Sequence, residues 1–200
     1  THTRAALASK EGLTKIKLFE TDEWFKNKAS EIICRFISKQ SIGNTFCSSV
    51  VPAATTKARE LKKLVGGKFH LLSHRDFGLN IKYPKPKTIG TDRLANVIGA
   101  LDKFTPPLVI VDFGTALTFD IVDKNSAYVG GVICPGLAAM TDYLHEKTAL
   151  LPKVRLKNTS ELIGKSTVQA MQIGAVQGYR GLISNIIMGL KKTLQTKKIN

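Results

Sequence analysis

The stretch that decides the fold runs from Leu108 to Gly136 and reads LVIVDFGTALTFDIVDKNSAYVGGVICPG. Its opening run, Leu108–Val111, is apolar and rich in β-branched residues, which is typical of a strand buried on both faces. Phe119–Val122 then predicts a returning strand, and Tyr128–Ile133 predicts a third strand that leads to the end of the stretch. We therefore expect three consecutive strands joined by turns.

The first turn follows Asp112 and contains Gly114 and Thr115, with Thr118 just beyond it. A carboxylate at the end of a strand can bind a metal ion or a water molecule, and the N–H and O–H groups of a tight turn can hold phosphate. The pattern therefore predicts a phosphate-binding loop. The alternative is an ordinary β-hairpin in which Asp112 and Gly114 only shape the turn.

Other motifs accompany this loop in a fixed order along the chain. They are Gly90-Thr91-Asp92-Arg93, Asn96, Asp112–Ala116, Gly130–Gly136, Leu151-Pro152, Gly164-Lys165-Ser166-Thr167 and Gly174. In this order they resemble the motifs of type III pantothenate kinases, enzymes of the acetate and sugar kinase, Hsp70 and actin superfamily. The resemblance covers most of the chain, from about Ser48 to Met188.

The resemblance implies an α/β fold with two RNase H-like halves around a nucleotide cleft. Residues 1–88 would form the N-terminal half, and residues 89–200 would form the C-terminal half with a dimerisation helix. The implied activity is the ATP-dependent phosphorylation of pantothenate to 4'-phosphopantothenate, the first step of coenzyme A biosynthesis, by a cytoplasmic homodimer. ATP would act together with a monovalent cation, potassium or ammonium, and with magnesium.

The resemblance also implies which residues form the site. The pantothenate contacts would be Tyr83, Gly90, Thr91, Asp92, Arg93 and Thr167. Asp92 would accept the proton of the substrate hydroxyl, Thr115 would contact the ATP phosphates, and Asp112 would lie by the cation. The long helix that contains Thr167 would lie at the homodimer interface, so the pocket that Thr167 reaches is its own or that of the partner subunit.

The residue types at Asp92 and Arg93 suit a substrate that carries both a hydroxyl and a carboxylate, as pantothenate does. A carboxylate beside a substrate hydroxyl can orient it and accept its proton during phosphoryl transfer. The planar guanidinium of Arg93 can bind a carboxylate through two hydrogen bonds. Other roles stay open for both residues, because Asp92 can cap the helix that follows and Arg93 can form a surface ion pair.

Alternatives also stay open for other predicted site residues. Asp112 is chemically suited to a hard cation with oxygen ligands, but the sequence does not choose the ion. Thr167 can also be the N-cap of the long helix, a role that can coexist with a place in the pocket. Gly174, Gly178 and Gly181 within this helix each cost about 1 kcal/mol relative to alanine, which suggests a close approach to another helix or to nucleotide.

The remaining elements follow from periodicity and turn signals. Thr1–Leu7 and Thr14–Leu18 predict a hairpin around Ser9–Gly12. Asp22–Gln40 predicts a helix with an apolar face, and Ser48–Val51 predicts a strand. Further predicted elements are helices at Thr55–Val65, from Thr91 or Asp92 onwards, at about Leu137–Lys147 and from Gly164 to about Lys192, an extended segment at Leu79–Pro86, and strands at Phe69–Leu72 and Val154–Leu156.

The resemblance implies a first phosphate loop immediately before Thr1, with an acidic residue, a glycine and an asparagine. Thr1–Leu7 resembles the continuation of that loop, and the family usually continues beyond Asn200. Either the chain is trimmed or this member lacks the first loop and its first strand. The segment Ile42–Thr45 imitates the loop, but Ser41 stands in place of the acidic residue, so we interpret it as a turn.

Composition excludes several other classes of protein. The 200 residues, of which 43% are hydrophobic, can bury the core of one or two domains. No run approaches the roughly 18 apolar residues of a membrane helix, so we expect a soluble protein. The three cysteines lack metal-type spacing and indicate near-core packing in a reducing compartment. The net charge of +15 comes from scattered lysines without a nucleic-acid-binding motif, so we expect no specific nucleic acid partner.

Besides the kinase, other functions stay open. A catalytically impaired relative that acts as a regulator is favoured by the missing first loop and disfavoured by Asp92, Arg93 and Asp112. A nucleic-acid-binding protein is supported only by the net charge. Another small-molecule kinase of the same superfamily is the nearest enzyme alternative, against which Tyr83 and Gly90–Arg93 argue.

Overall fold

The computed structural model describes residues 2–38, 40–196 and 198–200. Helices and strands are mixed along the chain, which confirms a mixed α/β fold. The strands are β1 (His2–Ser9), β2 (Gly12–Glu20), β3 (Asn44–Cys47), β4 (Lys68–Leu71), β5 (Leu108–Phe113), β6 (Ala116–Val122) and β7 (Tyr128–Pro135). The α-helices are α1 (Ala29–Ile37), α2 (Pro52–Val65), α3 (Thr91–Leu101), α4 (Leu137–Lys147) and α5 (Thr167–Thr193).

The chain divides into two compact units. Unit 1 contains the residues up to Gly78 together with Lys85–Ala95. Unit 2 contains Leu79–Pro84 together with Asn96–Asn200. Helix α3 therefore contributes residues to both units.

Unit 1 begins with the predicted hairpin. β1 and β2 pair antiparallel from His2 opposite Glu20 to Ser9 opposite Gly12. Gly12 has a φ of +120°, a conformation that glycine adopts at no steric cost. The pairing confirms the prediction, with strands that extend further than expected, while Thr1 lies outside the described residues.

The helix predicted for Asp22–Gln40 is shorter and interrupted. Thr21–Trp24 form a 3₁₀ turn, and α1 follows only after a break. Asn27 in the break has a φ of +59°, in the left-handed region that an α-helix does not accommodate. The prediction is therefore wrong in its bounds, and Lys39 within it lies outside the described residues.

The core of unit 1 joins the hairpin to helices α1 and α2. Its buried members are Phe19, Trp24, Ala29, Ile33, Ala54, Ala58 and Leu61. Trp24 lies in the segment predicted as a helix, and its Nε1 donates a hydrogen bond of 2.9 Å to Oγ1 of Thr3 in β1. The indole thus satisfies its polar group while its rings pack in the core.

A parallel pair of strands, β3 and β4, completes unit 1. β4 confirms the strand predicted for Phe69–Leu72. α2 confirms the helix predicted for Thr55–Val65 and ends before Gly66, whose φ of +73° suits the end of a helix. The strand predicted for Ser48–Val51 is wrong, because β3 ends one residue earlier, at Cys47.

The three strands predicted between Leu108 and Gly136 are confirmed in unit 2. They form an antiparallel sheet in the order β5-β6-β7. Their burial differs from the expectation, since Leu108 is buried but Val109–Val111 are only half-buried. The buried strand is β6, because it pairs on both sides while β5 is at the edge of this sheet.

Helix α5 packs on this sheet, and α4 has the bounds predicted for it. The core contains Leu117, Phe119 and Ile121 of β6 and Tyr179 of α5. Met171 and Ile173 of α5 are both buried although they point to opposite sides of the helix, about 200° apart. The start of α5 is therefore covered on more than one side.

The segment between α4 and α5 contains neither helix nor strand. Nε2 of Gln172 donates a hydrogen bond of 2.8 Å to the carbonyl oxygen of Arg155, and Nε2 of Gln177 donates one of 2.6 Å to that of Thr159. The strand predicted for Val154–Leu156 is therefore wrong. Side chains of α5, rather than a neighbouring strand, bind carbonyl groups of this segment.

The cysteines and the helices bear on the compositional expectations. Cys34, Cys47 and Cys134 are free and half-buried, which confirms near-core packing. Burial raises the pKa of the Cys47 thiol, so this thiol stays protonated near neutral pH. Among the described helices, none has both the length and the apolar character that crossing a bilayer requires.

Candidate active site

The start of helix α3 carries the motif Gly90–Arg93. α3 begins at Thr91, and Oδ1 of Asp92 accepts a hydrogen bond of 2.9 Å from the N–H group of Arg93. Asp92 is exposed and Arg93 is half-buried. N–H groups in the first turn of a helix lack partners within the helix and favour negative charge. The Asp92 carboxylate is thus anchored at the start of the helix and remains open to solvent.

Gly90 lies against the Asp92 carboxylate. A Cβ atom at Gly90 would collide with Oδ1 of Asp92 and would lie 3.2 Å from Cγ1 of Val50. The missing side chain therefore leaves room for the Asp92 carboxylate. This gives a packing reason for glycine at a position that the resemblance assigns to the substrate site.

Adjacent serines bind the starts of different helices. Oγ of Ser48 lies 2.8 Å from Oγ1 of Thr91 at the start of α3. Oγ of Ser49 accepts a hydrogen bond of 2.6 Å from Oγ1 of Thr55 and one of 3.4 Å from the N–H group of Val51, both at the start of α2. The sequence predicts a strand here and assigns neither serine a role. The available signal is a pair of hydroxyl residues just before the proline that opens α2.

Tyr83 lies in unit 2, in the segment Leu79–Pro84. The N–H group of Lys82 donates a hydrogen bond of 2.8 Å to the carbonyl oxygen of Tyr128, and the N–H group of Tyr128 donates one of 2.9 Å to that of Asn80. The rings of Tyr83 and Tyr128 meet edge to face, with centroids 6.5 Å apart. The start of β7 therefore fixes the backbone before Tyr83, whose side chain remains 40% exposed.

A buried carboxylate holds Tyr128 in turn. The hydroxyl of Tyr128 donates a hydrogen bond of 2.9 Å to Oδ1 of Asp120, and both residues are almost fully buried. Gly130 lies alongside, with a φ of +137°, and a Cβ atom there would lie 4.0 Å from Cδ2 of Tyr83. The sequence assigns no role to Asp120 and Tyr128. The sequence feature that could have pointed to this pair is Asp120, a charged residue inside a mostly apolar strand.

An ion pair anchors the residue before Tyr83. Nζ of Lys82 lies 2.9 Å from Oδ2 of Asp123, and Oδ1 of Asp123 accepts hydrogen bonds from the N–H groups of Asn125 and Ala127. The hydrogen bond from Lys82, helped by these N–H groups, holds the pKa of Asp123 below its usual value against the opposing effect of burial. The charged carboxylate thus fastens the segment to the turn between β6 and β7.

Asp112 lies near the end of β5 and is exposed. Nδ2 of Asn96 in α3 donates a hydrogen bond of 3.2 Å to its Oδ2. In the part of the chain that the structure describes, no group of three or more His, Cys, Asp or Glu side chains could hold a metal ion. A carboxylate oxygen is the type of ligand that hard cations take, whereas many transition metals take nitrogen or sulfur ligands.

The predicted phosphate loop is a tight turn between β5 and β6. The N–H group of Gly114 donates a hydrogen bond of 3.0 Å to the carbonyl oxygen of Ala116, and that of Gly136 donates one of 3.1 Å to Thr115. A Cβ atom at Gly136 would collide with the carbonyl oxygens of Gly114 and Thr115. Gly136 therefore lets the chain after β7 pack closely on the turn, and Thr115 lies exposed at its tip.

Thr167 is the first residue of α5 and is exposed. The N-cap is Ser166, whose Oγ accepts a hydrogen bond of 3.2 Å from the N–H group of Gln169. Oε1 of Gln169 accepts one of 2.8 Å from the N–H group of Lys165, an arrangement close to a capping box. The alternative that Thr167 itself is the N-cap is therefore wrong.

The predicted site residues are distributed over both units. Gly90–Arg93 belong to unit 1, and Tyr83, Asp112, Thr115 and Thr167 belong to unit 2. Within unit 2, Asp112 comes just before the turn that contains Thr115, whereas Tyr83 and Thr167 lie in other segments. Each unit therefore carries a distinct part of the predicted chemistry.

Most of the chain is similar to known proteins. The family model described as type III pantothenate kinase matches residues 1–188. The type III pantothenate kinase of Akkermansia muciniphila is 50% identical over 147 residues, which cover 73% of this chain and 60% of that protein. That of Methylacidiphilum infernorum is 52% identical over 117 residues, 58% of this chain and 43% of that protein. That of a Sulfurihydrogenibium species is 35% identical over 178 residues, 88% of this chain and 71% of that protein.

A solved structure shares the fold. It is a Campylobacter jejuni protein named for the Baf family of transcriptional activators, with a TM-score of 0.55 and 21% identity, and the match covers 86% of this chain and 71% of that chain. The chain spans 60% and 43% of the lengths of the relatives from Akkermansia and Methylacidiphilum. Because the family model covers residues 1–188 and the relatives agree with it, the chain belongs to the type III pantothenate kinase family.

Proposed function

We propose that the protein transfers the γ-phosphoryl group of ATP to the hydroxyl of pantothenate, which yields 4'-phosphopantothenate in the first step of coenzyme A biosynthesis. The observation that carries the proposal is the exposed Asp92 carboxylate, anchored at the start of α3 by the N–H group of Arg93. Membership of the type III pantothenate kinase family supports it.

Asp92 orients the substrate hydroxyl and accepts its proton as the phosphoryl group arrives. Oδ1 of Asp92 is engaged by the N–H group of Arg93, so Oδ2 is the oxygen that takes the proton. Phosphoryl transfer has a loose transition state, and the anchoring of the carboxylate therefore matters more than its basicity. Arg93 binds the carboxylate of pantothenate through two parallel hydrogen bonds.

The other site residues complete this proposal. Tyr83, Gly90, Thr91 and Thr167 contact pantothenate, and Thr115 contacts the ATP phosphates from the exposed turn. Asp112 is the residue that would hold potassium or ammonium, and a cation there would offset part of the negative charge of the phosphates. Magnesium accompanies ATP, as is usual for nucleotide phosphates.

The proposal includes the architecture and assembly. Residues 1–88 and 89–200 form RNase H-like halves, and the mixed α/β fold supports this assignment. These bounds differ from those of the two compact units at residues 79–84 and 89–95. The proposal includes a homodimer that forms through α5, as the resemblance implies. A cytoplasmic location stays a prediction.

The test is phosphorylation of pantothenate by the full-length gene product, with ATP and potassium present and the product identified by mass spectrometry. Asp92→Asn should lower kcat at least about 100-fold, the range expected for loss of a general base. Asp102→Asn is a matched control, because Asp102 is an exposed carboxylate just after the other end of α3.

Turnover in the parent and in Asp102→Asn, with the loss confined to Asp92→Asn, would establish the kinase and the role of Asp92. No turnover in a folded parent protein would contradict the proposal and would favour the impaired regulator. Turnover that Asp92→Asn leaves intact would keep the kinase but remove Asp92 as proton acceptor.

A further inference from the structure

The residues just after β3 contact the start of α3. Oγ of Ser48 and Oγ1 of Thr91 lie 2.8 Å apart, which is the usual length of a hydrogen bond between hydroxyls. Thr91 is the first residue of α3 and immediately precedes Asp92. A hydroxyl far away in sequence is thus bonded to the second residue of the motif Gly90–Arg93.

The neighbouring serine has a different task. Ser49 accepts its hydrogen bonds from Thr55 and from the N–H group of Val51, at the start of α2. The hydroxyl of Ser49 therefore serves α2, and that of Ser48 serves α3. This division provides a control residue of the same type, next in sequence.

An apolar contact reinforces the hydroxyl pair. Val50 packs against Gly90 so closely that a Cβ atom on Gly90 would lie 3.2 Å from Cγ1 of Val50. The same Cβ atom would collide with Oδ1 of Asp92. The segment Ser48–Val50 therefore contacts both residues that precede Asp92, one through a hydroxyl and one through a methyl group.

We propose that Ser48 is a positioning residue for pantothenate, which acts by fixing Thr91 and thereby the orientation of Asp92 and Arg93. The inference rests on the proposed function and assigns Ser48 no contact with the substrate. A displacement of about 1 Å of groups that orient a substrate can cost about 100-fold in rate. Because Thr91, Asp92 and Arg93 are the proposed pantothenate contacts, Ser48 acts on pantothenate rather than on ATP.

The test compares Ser48→Ala with Ser49→Ala in the full-length gene product. Ser48→Ala should raise KM for pantothenate about 3- to 10-fold, the equivalent of one hydrogen bond, and leave KM for ATP unchanged. Ser49→Ala should leave both KM values unchanged, because its bonds are confined to α2. Ser48→Thr keeps the hydroxyl and should restore KM for pantothenate. If Ser48→Ala does not fold, Ser48→Cys replaces it, because cysteine is similar in size to serine and forms a weaker hydrogen bond with Thr91.

A double-mutant cycle adds a readout that a purely structural role would not produce. Thr91→Val removes the same hydrogen bond from the other side, so its effect on KM for pantothenate should not add to that of Ser48→Ala. Additive effects, or a KM for pantothenate in Ser48→Ala equal to that of the parent, would overturn the inference alone. A parent that neither binds pantothenate in a calorimetric titration nor turns it over would overturn the proposed function and this inference with it.

Discussion

The side-chain amide of Asn96 donates a hydrogen bond of 3.2 Å to Oδ2 of Asp112. Asn96 lies on α3 and Asp112 near the end of β5. The amide N–H group engages one oxygen of the carboxylate, and the other carboxylate oxygen stays available to an ion. The bond therefore holds Asp112 in one orientation at the position where we propose the cation.

We expect Asn96→Ala to weaken potassium binding about 3- to 10-fold, because the carboxylate of Asp112 loses one hydrogen bond and can rotate. The thermal midpoint of unfolding is measured as potassium chloride is added, and the concentration that gives half of its maximal rise is recorded. The potassium chloride concentration that gives half-maximal activity is measured as a second readout. Asn125→Ala is the control, since only the backbone N–H group of Asn125 bonds Asp123. A potassium midpoint equal to that of the parent would contradict this role of Asn96.

Stability should depend on pH through Asp123. The hydrogen bond from Lys82 holds the pKa of Asp123 below its usual value in the folded protein. A carboxyl whose pKa is lowered on folding contributes stability above its unfolded pKa, about 3.9, and loses that contribution as the pH falls through the folded pKa. Asp123→Asn should therefore lower the urea midpoint at neutral pH, and the difference from the parent should shrink below about pH 4.

The measurement is a series of urea unfolding curves from neutral to acidic pH for the parent and the variant. Asp102→Asn is the comparison, because Asp102 is exposed and its side chain has no ion pair within the described residues. A difference between parent and Asp123→Asn that stays the same at all pH values would show that the effect is not one of charge.

Gly136→Ala should disturb the loop that we propose for the ATP phosphates. The new Cβ atom would collide with the carbonyl oxygens of Gly114 and Thr115, so the turn would have to move. We expect KM for ATP to rise at least about 10-fold, since displacement of positioning groups by a fraction of an ångström affects binding strongly. KM for pantothenate should change less.

Gly178→Ala in α5 is the matched control for this substitution. Apart from its chain neighbours and the backbone of its own helix, no described atom lies within 4 Å of a Cβ atom at Gly178, so alanine should fit and stabilise the helix by about 1 kcal/mol. Urea unfolding measures this gain. If Gly178→Ala lowered the stability, a neighbour from another chain would have to lie close to Gly178. If Gly136→Ala kept the KM of the parent for ATP, that result would argue against the proposed phosphate loop.

Elements with clear periodicity or turn signals could be predicted from the sequence. The hairpin around Gly12, the antiparallel sheet from Leu108 to Pro135 and helix α4 agree with the structure, because local pattern and local pairing coincide there. The break at Asn27 could not be predicted, since its left-handed φ is a property of one residue inside an apolar helical pattern. Burial also depends on neighbours: the apolar run of β5 lies at the edge of its sheet and is half-buried.

The candidate site shows the same division. The sequence places Asp92 at the start of a helix and Asp112 near the end of a strand, and both positions agree with the structure. The partners of these residues could not be predicted, because Ser48 and Asn96 reach them through contacts between distant parts of the chain. The cap of α5 falls on Ser166 rather than Thr167, a shift of one residue that pattern alone does not resolve.

The segment between α4 and α5 is attached to α5 by side chains, through Gln172, Gln177 and the guanidinium of Arg180, which donates a hydrogen bond of 2.8 Å to Oδ1 of Asn158. These bonds use acceptors of the segment and do not engage its N–H groups. Because the segment belongs to no helix or sheet, no regular backbone hydrogen bonding protects its amide protons. In a hydrogen-exchange experiment they should exchange much faster than those of β6. The segment can therefore open as a local unit, and Thr167, which follows it, can change its surroundings while the core of unit 2 stays folded.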